Sequence, residues 1–420
     1  MASTTLKEEE FMDTESVCVV GAGPVGLVMA LALARDGVPV TVIETEAEPN
    51  MSPRAMVYLN SLLPDLDGYG ILEDMKQRGH VDHEGFNMHL VRTGEVLSAP
   101  NTVLEGHHPT PFNIHMGQGE LCNIVLEHLA RMPHVTIHWD TQVTSLEQDA
   151  HGVSLTLSNE TGSTRTHRSN WVVGADGGRS SIRTLIGATL DGTTWDERFI
   201  ATNLHFDFRQ LGFKSSNLFV HPTLPAVIGQ INRDGLWRCT IQESAALPEE
   251  TVASRIKEYF SALLGPDAAY ELVDFRPYRM HQRLSSKLRQ GRVVLAGDAA
   301  HLTNPTGGLG LTTGLYDVFA LHEAFRALLG GAADESILDR YAEERVKTFS
   351  TMTSPMASNL KNIVYGGLDA ETLAAATEPM RQGTSTPEAQ LGFLKALDGI
   401  RSPSLLTPEP ISSGQGRTNR

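Results

Sequence analysis

The N-terminal part of the chain carries a glycine pattern that suits the binding of a dinucleotide phosphate. Residues 21–26 read Gly-Ala-Gly-Pro-Val-Gly, a strict GxGxxG. In such a turn Gly21 permits the sharp bend, Gly23 lets backbone N–H groups reach a pyrophosphate, and Gly26 allows close packing of helix on strand. The positive end of the following helix favours the phosphate anion. By itself the pattern is weak, because GxGxxG also occurs in ordinary loops.

The elements on either side of this turn strengthen the prediction. An apolar strand at residues 17–20 enters the turn, a helix over residues 27–35 leaves it, and a second apolar strand at residues 38–43 follows. Glu44 ends that second strand, about 20 residues beyond the glycines, where an acidic side chain meets a ribose hydroxyl. Because a carboxylate repels a 2′-phosphate, the unit is predicted to hold the ADP half of FAD or NAD rather than NADP.

Two later segments also join a strand to a glycine and an aspartate. One strand leads into Gly174 and Asp176, and another leads into Gly297 and Asp298. The chain lacks a second complete GxGxxG and a redox CxxC, which a pyridine-nucleotide disulfide reductase would carry. The alternative role for each aspartate is a turn or a helix cap, but the repeated strand-glycine-aspartate context favours ligand binding.

These three ordered motifs resemble those of the p-hydroxybenzoate hydroxylase-like family, also called group A flavoprotein hydroxylases, over residues 17–350. The resemblance implies non-covalent FAD, NADPH or NADH as co-substrate, O2, and a small aromatic substrate. It implies that Glu44 contacts the adenosine ribose, Arg54 the FAD phosphates or the passing nicotinamide, and Gln118 the flavin side chain or ribityl group. The residues that it assigns to the cofactor are Gly21, Gly23, Pro24, Val25, Gly26, Glu44, Arg54, Gln118, Val143, Asp176, Asp298, Pro305, Gly308, Gly310 and Leu311.

The glycine-rich segment at residues 301–314 is predicted to lie against the flavin, before a helix at residues 315–329. A helix N-terminus at this place would stabilise negative charge on the reduced ring. Family members commonly have Gln at the position of Leu309 and Asn near Thr312, so this chain departs from the pattern. The implied reaction passes a hydride to flavin N5, adds oxygen at C4a, and transfers the terminal oxygen of the hydroperoxide to an electron-rich carbon.

Four residues of the predicted substrate sheet are candidates for substrate contact, because strand alternation could aim them inward. They are Asn203, His205, Gln230 and Arg238. A hydrogen-bonding or basic side chain beside a phenol hydroxyl favours the more nucleophilic phenolate, and Arg238 could anchor a carboxylate or enolate. The alternatives are a solvated strand histidine for His205 and a surface salt bridge for Arg238. His and Cys residues lack metal-ligand spacing, so no metal site is predicted.

The predicted fold class is α/β: a Rossmann-like FAD-binding domain interrupted by a β-rich substrate domain, followed by a helical C-terminal segment. Substrate strands are expected at residues 86–91, 199–208, 218–231 and 236–241. The predicted divisions are a disordered leader at 1–16, the first part of the FAD domain at 17–187 with 83–100 contributing to the substrate sheet, the substrate domain at 188–275, the second part of the FAD domain at 276–350, C-terminal helices at 351–401 and a disordered tail at 402–420.

Bulk composition limits the class of protein. The chain has 420 residues, of which 40% are hydrophobic and 20% charged, as expected for one large or two joined globular domains. A formal charge of −16 argues against a nucleic-acid partner. Three separated cysteines, an acidic N-terminal segment and the lack of a long apolar stretch predict a cytoplasmic protein without stable membrane insertion. The sequence leaves a homodimer open.

Aromatic hydroxylation, including that of a secondary metabolite, is the favoured reaction because the motif set is that of a single-component monooxygenase. A Baeyer–Villiger or epoxidising monooxygenase on the same scaffold is the nearest alternative, and its products would distinguish it. Halogenation is disfavoured because the WxWxIP stretch of tryptophan halogenases is absent. A non-catalytic FAD-binding protein is the alternative from another class, and the departures at Leu309 and Thr312 support it.

Overall fold

A computed structural model describes residues 15–51, 55–159 and 161–406. The predicted leader and tail therefore lie mostly outside the described residues. At their described ends, the Ser16 amide donates to Asn170 Oδ1 at 2.9 Å, and Leu405 is buried.

The strands, in chain order, are β1 (Val17–Val20), β2 (Val40–Ile43), β3 (Val57–Tyr58), β4 (His80–Asp82), β5 (Phe86–Leu90), β6 (Glu95–Ala99), β7 (Asn113–His115), β8 (Val135–His138), β9 (Thr141–Asp149), β10 (Gly152–Asn159), β11 (Thr164–Ser169), β12 (Trp171–Gly174), β13 (Leu190–His205), β14 (Ser216–Val220), β15 (Ala226–Gln230), β16 (Leu236–Ser244), β17 (Glu271–Ser285), β18 (Arg289–Gln290), β19 (Val293–Leu295) and β20 (His301–Leu302).

The helices are α1 (Pro24–Arg35), α2 (Leu63–Gly68), α3 (Leu72–Arg78), α4 (Gln118–Leu129), α5 (Ser181–Leu185), α6 (Val252–Leu264), α7 (Leu309–Leu329), α8 (Ser336–Thr348), α9 (Ser354–Tyr365), α10 (Ala370–Gly383) and α11 (Pro387–Lys395). A π-helical segment, Phe349–Thr353, joins α8 to α9.

A six-stranded sheet forms the nucleotide-binding half, in the order β18-β19-β12-β1-β2-β8. Its inner strands are parallel, and β1 is buried on both faces. Val17 and Val19 pack with the cluster under α1, α4 and α7, whereas Cys18 and Val20 pack with that under the β9–β10–β11 sheet. A continuous apolar run is what a strand covered on both faces requires.

An eight-stranded sheet forms the second half, in the order β20-β17-β13-β16-β15-β14-β5-β6. The long strands β13 and β17 pair from Leu190 opposite Ser285 to His205 opposite Glu271. At the end of this pair that contains Leu190 and Ser285, β17 also pairs with β20, the strand that follows the Gly297 motif in the chain. The fold class predicted from the sequence is confirmed. The expected strand at residues 218–231 is two strands, because a turn containing two prolines separates β14 from β15, and the division drawn after residue 275 falls inside β17.

The C-terminal helices close one side of the eight-stranded sheet. The guanidinium of Arg381 on α10 donates to both carboxylate oxygens of Glu95 on β6, at 2.9 and 2.8 Å. Phe393 on α11 packs against Phe86 on β5, with ring centroids 5.2 Å apart. The segment predicted as C-terminal helices thus becomes a wall of the space between the two sheets.

A fully buried carboxylate on α7 connects these parts. Asp317 Oδ2 accepts from the Gly297 amide at 2.8 Å and lies 2.7 Å from His301 Nε2, while Oδ1 accepts from Arg345 Nε at 2.6 Å. Burial alone would raise the pKa of Asp317, but His301 and Arg345 hold it below its usual value. Arg345 also donates to the backbone oxygens of Thr313 and Ile400.

Replacing Asp317 with Asn leaves the Arg345 guanidinium buried without its counter-charge, so we expect the free energy of unfolding to fall by about 3 kcal/mol. Urea denaturation measures this change. Because the pKa of Asp317 is lowered in the folded state, its contribution is present above the unfolded value of about 4 and is lost as the pH falls. Glu73→Gln, in an exposed pair with Lys76, is the control and should change stability by less than about 0.5 kcal/mol. Equal effects of the two substitutions would contradict this account.

Candidate functional site

The predicted phosphate-binding turn lies between β1 and α1, with Pro24 as the first residue of the helix. Gly21 has φ of +111°, and a Cβ there would meet the Ala175 carbonyl oxygen at 2.4 Å. At Gly26 a Cβ would lie 1.9 Å from the Gly21 oxygen, so this glycine lets the helix pack on the turn. At Gly23 nothing lies within 4 Å of the added Cβ. The backbone is therefore bare on the side that faces the cavity, which fits a pyrophosphate.

Glu44 lies beside this turn at the end of β2. Its Oε2 accepts from the Ala22 amide at 2.6 Å, and its Oε1 accepts from the Glu46 amide at 3.0 Å. These bonds fix the carboxylate at the edge of the cavity, in the place where the sequence predicts a ribose contact. Both oxygens have further lone pairs, so the geometry leaves room for a ribose hydroxyl as donor.

The second motif has a structural role in addition to lining the cavity. The Asp176 carboxylate accepts from the Ser181 and Ile182 amides at 2.7 and 3.1 Å, so it caps the first turn of α5. Arg183 is buried and donates to the backbone oxygens of Gly178 and Ala299 at 2.8 and 3.0 Å. It thereby ties the second motif to the third. The hydrogen bonds of Asp176 therefore show the helix-cap role, which is the alternative to ligand binding for this residue.

The third motif leads from β19 through Asp298 and β20 to the N-terminus of α7. Gly297 has φ of +61°, and a Cβ there would meet the Val25 side chain at 2.9 Å, so the motif packs against the phosphate-binding turn. Gly308, with φ of +68°, is the N-cap residue of α7. Leu309 is buried at this start, and the Thr312 hydroxyl donates to the Gly308 oxygen at 3.0 Å. At the two positions that depart from the family pattern, Leu309 therefore packs in the core and Thr312 forms a hydrogen bond within the helix.

One cavity of about 1270 Å³ joins the three motifs and reaches the inner face of the eight-stranded sheet. The predicted cofactor residues that line it are Gly21, Gly23, Pro24, Val25, Glu44, Gln118, Val143, Asp176, Asp298, Pro305, Gly308, Gly310 and Leu311. Gly26 lies behind the turn, and Arg54 lies outside the described residues. Such a volume, with a glycine turn at one end and apolar side chains at the other, suits a large cofactor together with a small aromatic molecule.

The apolar end of the cavity, here called the chamber, lies between the loop at residues 305–308 and the eight-stranded sheet. Leu360 of α9 reaches the loop, since a Cβ on Gly307 would lie 2.8 Å from it. The chamber side chains are Phe199, Leu218, Val227, Tyr278, Met280, Leu360 and Met380. The contribution of α9 and α10 could not be predicted from the sequence, because their only signal is an apolar helical pattern that any packed helix shares.

Arg238 is the predicted substrate residue that reaches the cavity. Its side chain is buried. Its Nε donates at 3.0 Å to Oδ1 of Asn203, which lies directly across the sheet on β13. Burial lowers the pKa of Arg238 to about 10, against opposing contributions from Tyr278 and Asp274. The guanidinium therefore remains charged at neutral pH, in a setting with little water. Because Arg238 is buried, the alternative prediction of a surface salt bridge is wrong. Asn203 holds Arg238 in place through this hydrogen bond but does not itself line the cavity.

The sequence prediction placed two other residues wrongly. His205 ends β13, is exposed, and lines a separate cleft with Gln230. Gln230 follows Gly229, the cross-strand neighbour of Arg238, so strand alternation turns its side chain to the other face. There it accepts from Arg209 at 3.1 Å. Periodicity gave the strands, but not the register or the position of the chamber along them.

Among the described residues, no group of three or more His, Cys, Asp or Glu side chains is arranged to hold a metal ion. None of the helices in the described ranges is long and apolar enough to cross a membrane.

Comparisons with known proteins agree with this geometry. A sequence profile described as an FAD binding domain matches residues 14–354. The chain is 40% identical to 6-hydroxy-3-succinoylpyridine 3-monooxygenase of Pseudomonas putida over 353 residues, covering 84% of this chain and 89% of that protein. It is 39% identical to para-nitrophenol 4-monooxygenase of a Pseudomonas species over 349 residues, 82% and 86% of the two chains. The crystal structure of a p-nitrophenol 4-monooxygenase from Pseudomonas putida superimposes with a TM-score of 0.87 at 35% identity, over 92% and 98% of the chains.

Substituting Gly23 with Ala should weaken FAD binding at least about tenfold, equivalent to about 1.4 kcal/mol, because the new methyl group occupies the space above the phosphate-binding amides. The thermal unfolding of the apoprotein should not change, since the methyl group meets no protein atom. Gly26→Ala is the matched control: its methyl group would clash with the Gly21 oxygen, so it should destabilise the apoprotein itself. Equilibrium titration with FAD and melting curves separate the two effects. Full FAD affinity in the Gly23 variant would rule out this placement of the pyrophosphate.

Proposed function

The chain belongs to the p-hydroxybenzoate hydroxylase-like family and is an FAD-dependent aromatic monooxygenase, and from this premise we propose that its substrate is an ionisable hydroxy-aromatic ring and its reductant NADPH or NADH. Two of its relatives are named for a hydroxypyridine and a nitrophenol. The chamber, with its aromatic and aliphatic side chains, suits a ring of this class.

The observation that carries the proposed substrate class is the position of Arg238. A charged guanidinium with 4% of its surface exposed borders a chamber of aromatic and aliphatic side chains. Where water is scarce, a fixed positive charge attracts an anion more strongly than it would in bulk water. A phenolate or a ring-bound carboxylate would supply that anion and would gain from the low dielectric surroundings.

The cofactor and the protein divide the reaction between them. FAD, when bound, supplies the redox chemistry: it takes a hydride from the nicotinamide and activates oxygen. Arg238 stabilises the ionised form of the substrate, which is the better nucleophile toward an electrophilic oxygen. The apolar side chains of the chamber exclude water, and the N-terminus of α7 at Gly308 presents backbone amides that favour negative charge.

The reaction itself is tested by aerobic oxidation of NADPH and NADH by the purified protein with phenols, hydroxypyridines and cyclic ketones. We expect phenols or hydroxypyridines to stimulate oxidation and to yield products that gain one oxygen atom by mass, with the ring intact. Lactones from cyclic ketones, or epoxides, would indicate the Baeyer–Villiger or epoxidising alternative. Bound FAD without stimulated oxidation by any compound would favour a non-catalytic flavoprotein.

Substituting Arg238 with Met should raise the Kd of 4-nitrophenolate at least about tenfold, because the bound anion loses a buried counter-charge. Perturbation of the flavin absorbance on titration measures the Kd. Arg92→Met, in an exposed turn away from the cavity, is the control and should leave the Kd unchanged. The neutral ligand 4-methylanisole should bind the wild-type protein and the Arg238 variant alike. An equal loss for both ligands would mean that the substitution distorts the chamber rather than removing an anion contact.

A further inference from the structure

Thr240 on β16 presents a hydroxyl that is not used by the fold. The residue is buried, with 7% of its surface exposed, and it lines the cavity. Its backbone oxygen accepts from Tyr365 at 2.8 Å, but its Oγ1 has no hydrogen-bond partner among the described residues. This hydroxyl is not among the fully enclosed polar atoms, so its remaining accessible surface opens to the cavity.

Thr202 on the neighbouring strand shows the contrast. It is also buried, but it points to the other face of the sheet, and its hydroxyl donates to the Cys239 oxygen at 2.7 Å. A buried hydroxyl normally finds such a partner, because leaving it unpaired costs free energy. The free hydroxyl of Thr240 is therefore a site for a group that enters the chamber.

The side chains directly across the sheet from Thr240 are apolar. Its cross-strand neighbours are Ala201 on β13 and Val227 on β15, and both line the cavity. A bound ring that fills the chamber displaces water from this hydroxyl. A substrate with no polar group there would leave the hydroxyl unpaired, whereas one with an acceptor or a donor would satisfy it.

Arg238 and Thr240 are alternate residues of one strand, so their side chains share a face and their backbones lie about 7 Å apart. The guanidinium does not extend along the strand toward Thr240, because its Nε donates to Asn203 directly across the sheet. The two polar groups are thus held apart along the strand, at a separation comparable to that of polar substituents at opposite ends of one aromatic ring.

We propose that Thr240 is a specificity-determining residue, which hydrogen-bonds a second polar group of the substrate at the end of the ring opposite the anion held by Arg238. This deepens the proposed function and rests on it. The substrate is accordingly a hydroxy-aromatic ring with polar groups at both ends, and Thr240 helps to set which ring carbon faces the flavin. A hydroxyl donates and accepts, so the second group is a nitro, carbonyl or hydroxyl group.

The test compares Kd values of the FAD-loaded protein for 4-nitrophenol and 4-hydroxyacetophenone, which are polar at both ends of the ring, and for phenol, which is polar at one end. The Kd is measured by flavin absorbance without reductant. Thr240→Val keeps the branched shape and removes the hydroxyl, so it should weaken the two-ended ligands about tenfold and change phenol less than twofold. Thr240→Ser should restore wild-type affinity. Thr202→Val, on the opposite face, is the control and should not alter the preference for two-ended rings.

The proposal is overturned if Thr240→Val weakens all three ligands equally, if it weakens none, or if the wild-type protein binds phenol as tightly as the two-ended phenols. Melting curves of each variant show whether it is folded. A failure of the proposed function would be distinguishable. If the wild-type protein shows the expected binding preference but transfers no oxygen to any bound phenol, the role of Thr240 in recognition stands and the hydroxylase reaction is refuted.

Discussion

The carboxylate of Asp317 is the contact on which the geometry of the site depends. It binds the Gly297 amide, His301 and Arg345 within a space closed to water, and Arg345 extends the network to the backbone near residue 400. The loop that lies against the predicted flavin position, the longest helix and the C-terminal segment are therefore held by one buried ionic group. Each partner satisfies a charge or a donor that would be costly if left alone.

The parts of the site that could be predicted from the sequence are those that local backbone chemistry determines. Gly21 and Gly26 lie where a side chain would clash with the backbone, Gly23 leaves the space above the turn open, and Glu44 follows from the length of one βαβ unit. For this reason the fold class and the family, both argued from these motifs, are confirmed. The assignment of individual side chains to FAD atoms stays a prediction, although nearly all of the assigned residues that the structure describes line one cavity.

The parts that could not be predicted depend on contacts between distant segments. Alternation along β13 and β15 is visible in the sequence, but the chamber covers only part of each strand, so His205 and Gln230 were misplaced while Arg238 was not. Thr240 carries no motif and becomes notable only when its neighbours across the sheet are known. Asp176 sits in a recognisable motif, yet its hydrogen bonds go to α5. In each case the role of the residue depends on strand register or on which atoms its side chain contacts, and neither is determined by the local sequence.

The paired strands β13 and β17 have a mechanical consequence. Each is about 50 Å long, and they pair from the loop beside the nucleotide-binding half to the far end of the substrate sheet, with irregularities in the pairing between Thr194 and Arg198 and between Asn203 and Leu204. A hydrogen-bonded ribbon bends less readily than a flexible linker between two domains, and the irregularities in its pairing are the places where it bends. The two halves of the molecule are thus joined by paired strands rather than by a linker, so we expect adaptation to differently shaped rings to come from the helices that line the chamber, α9 and α10.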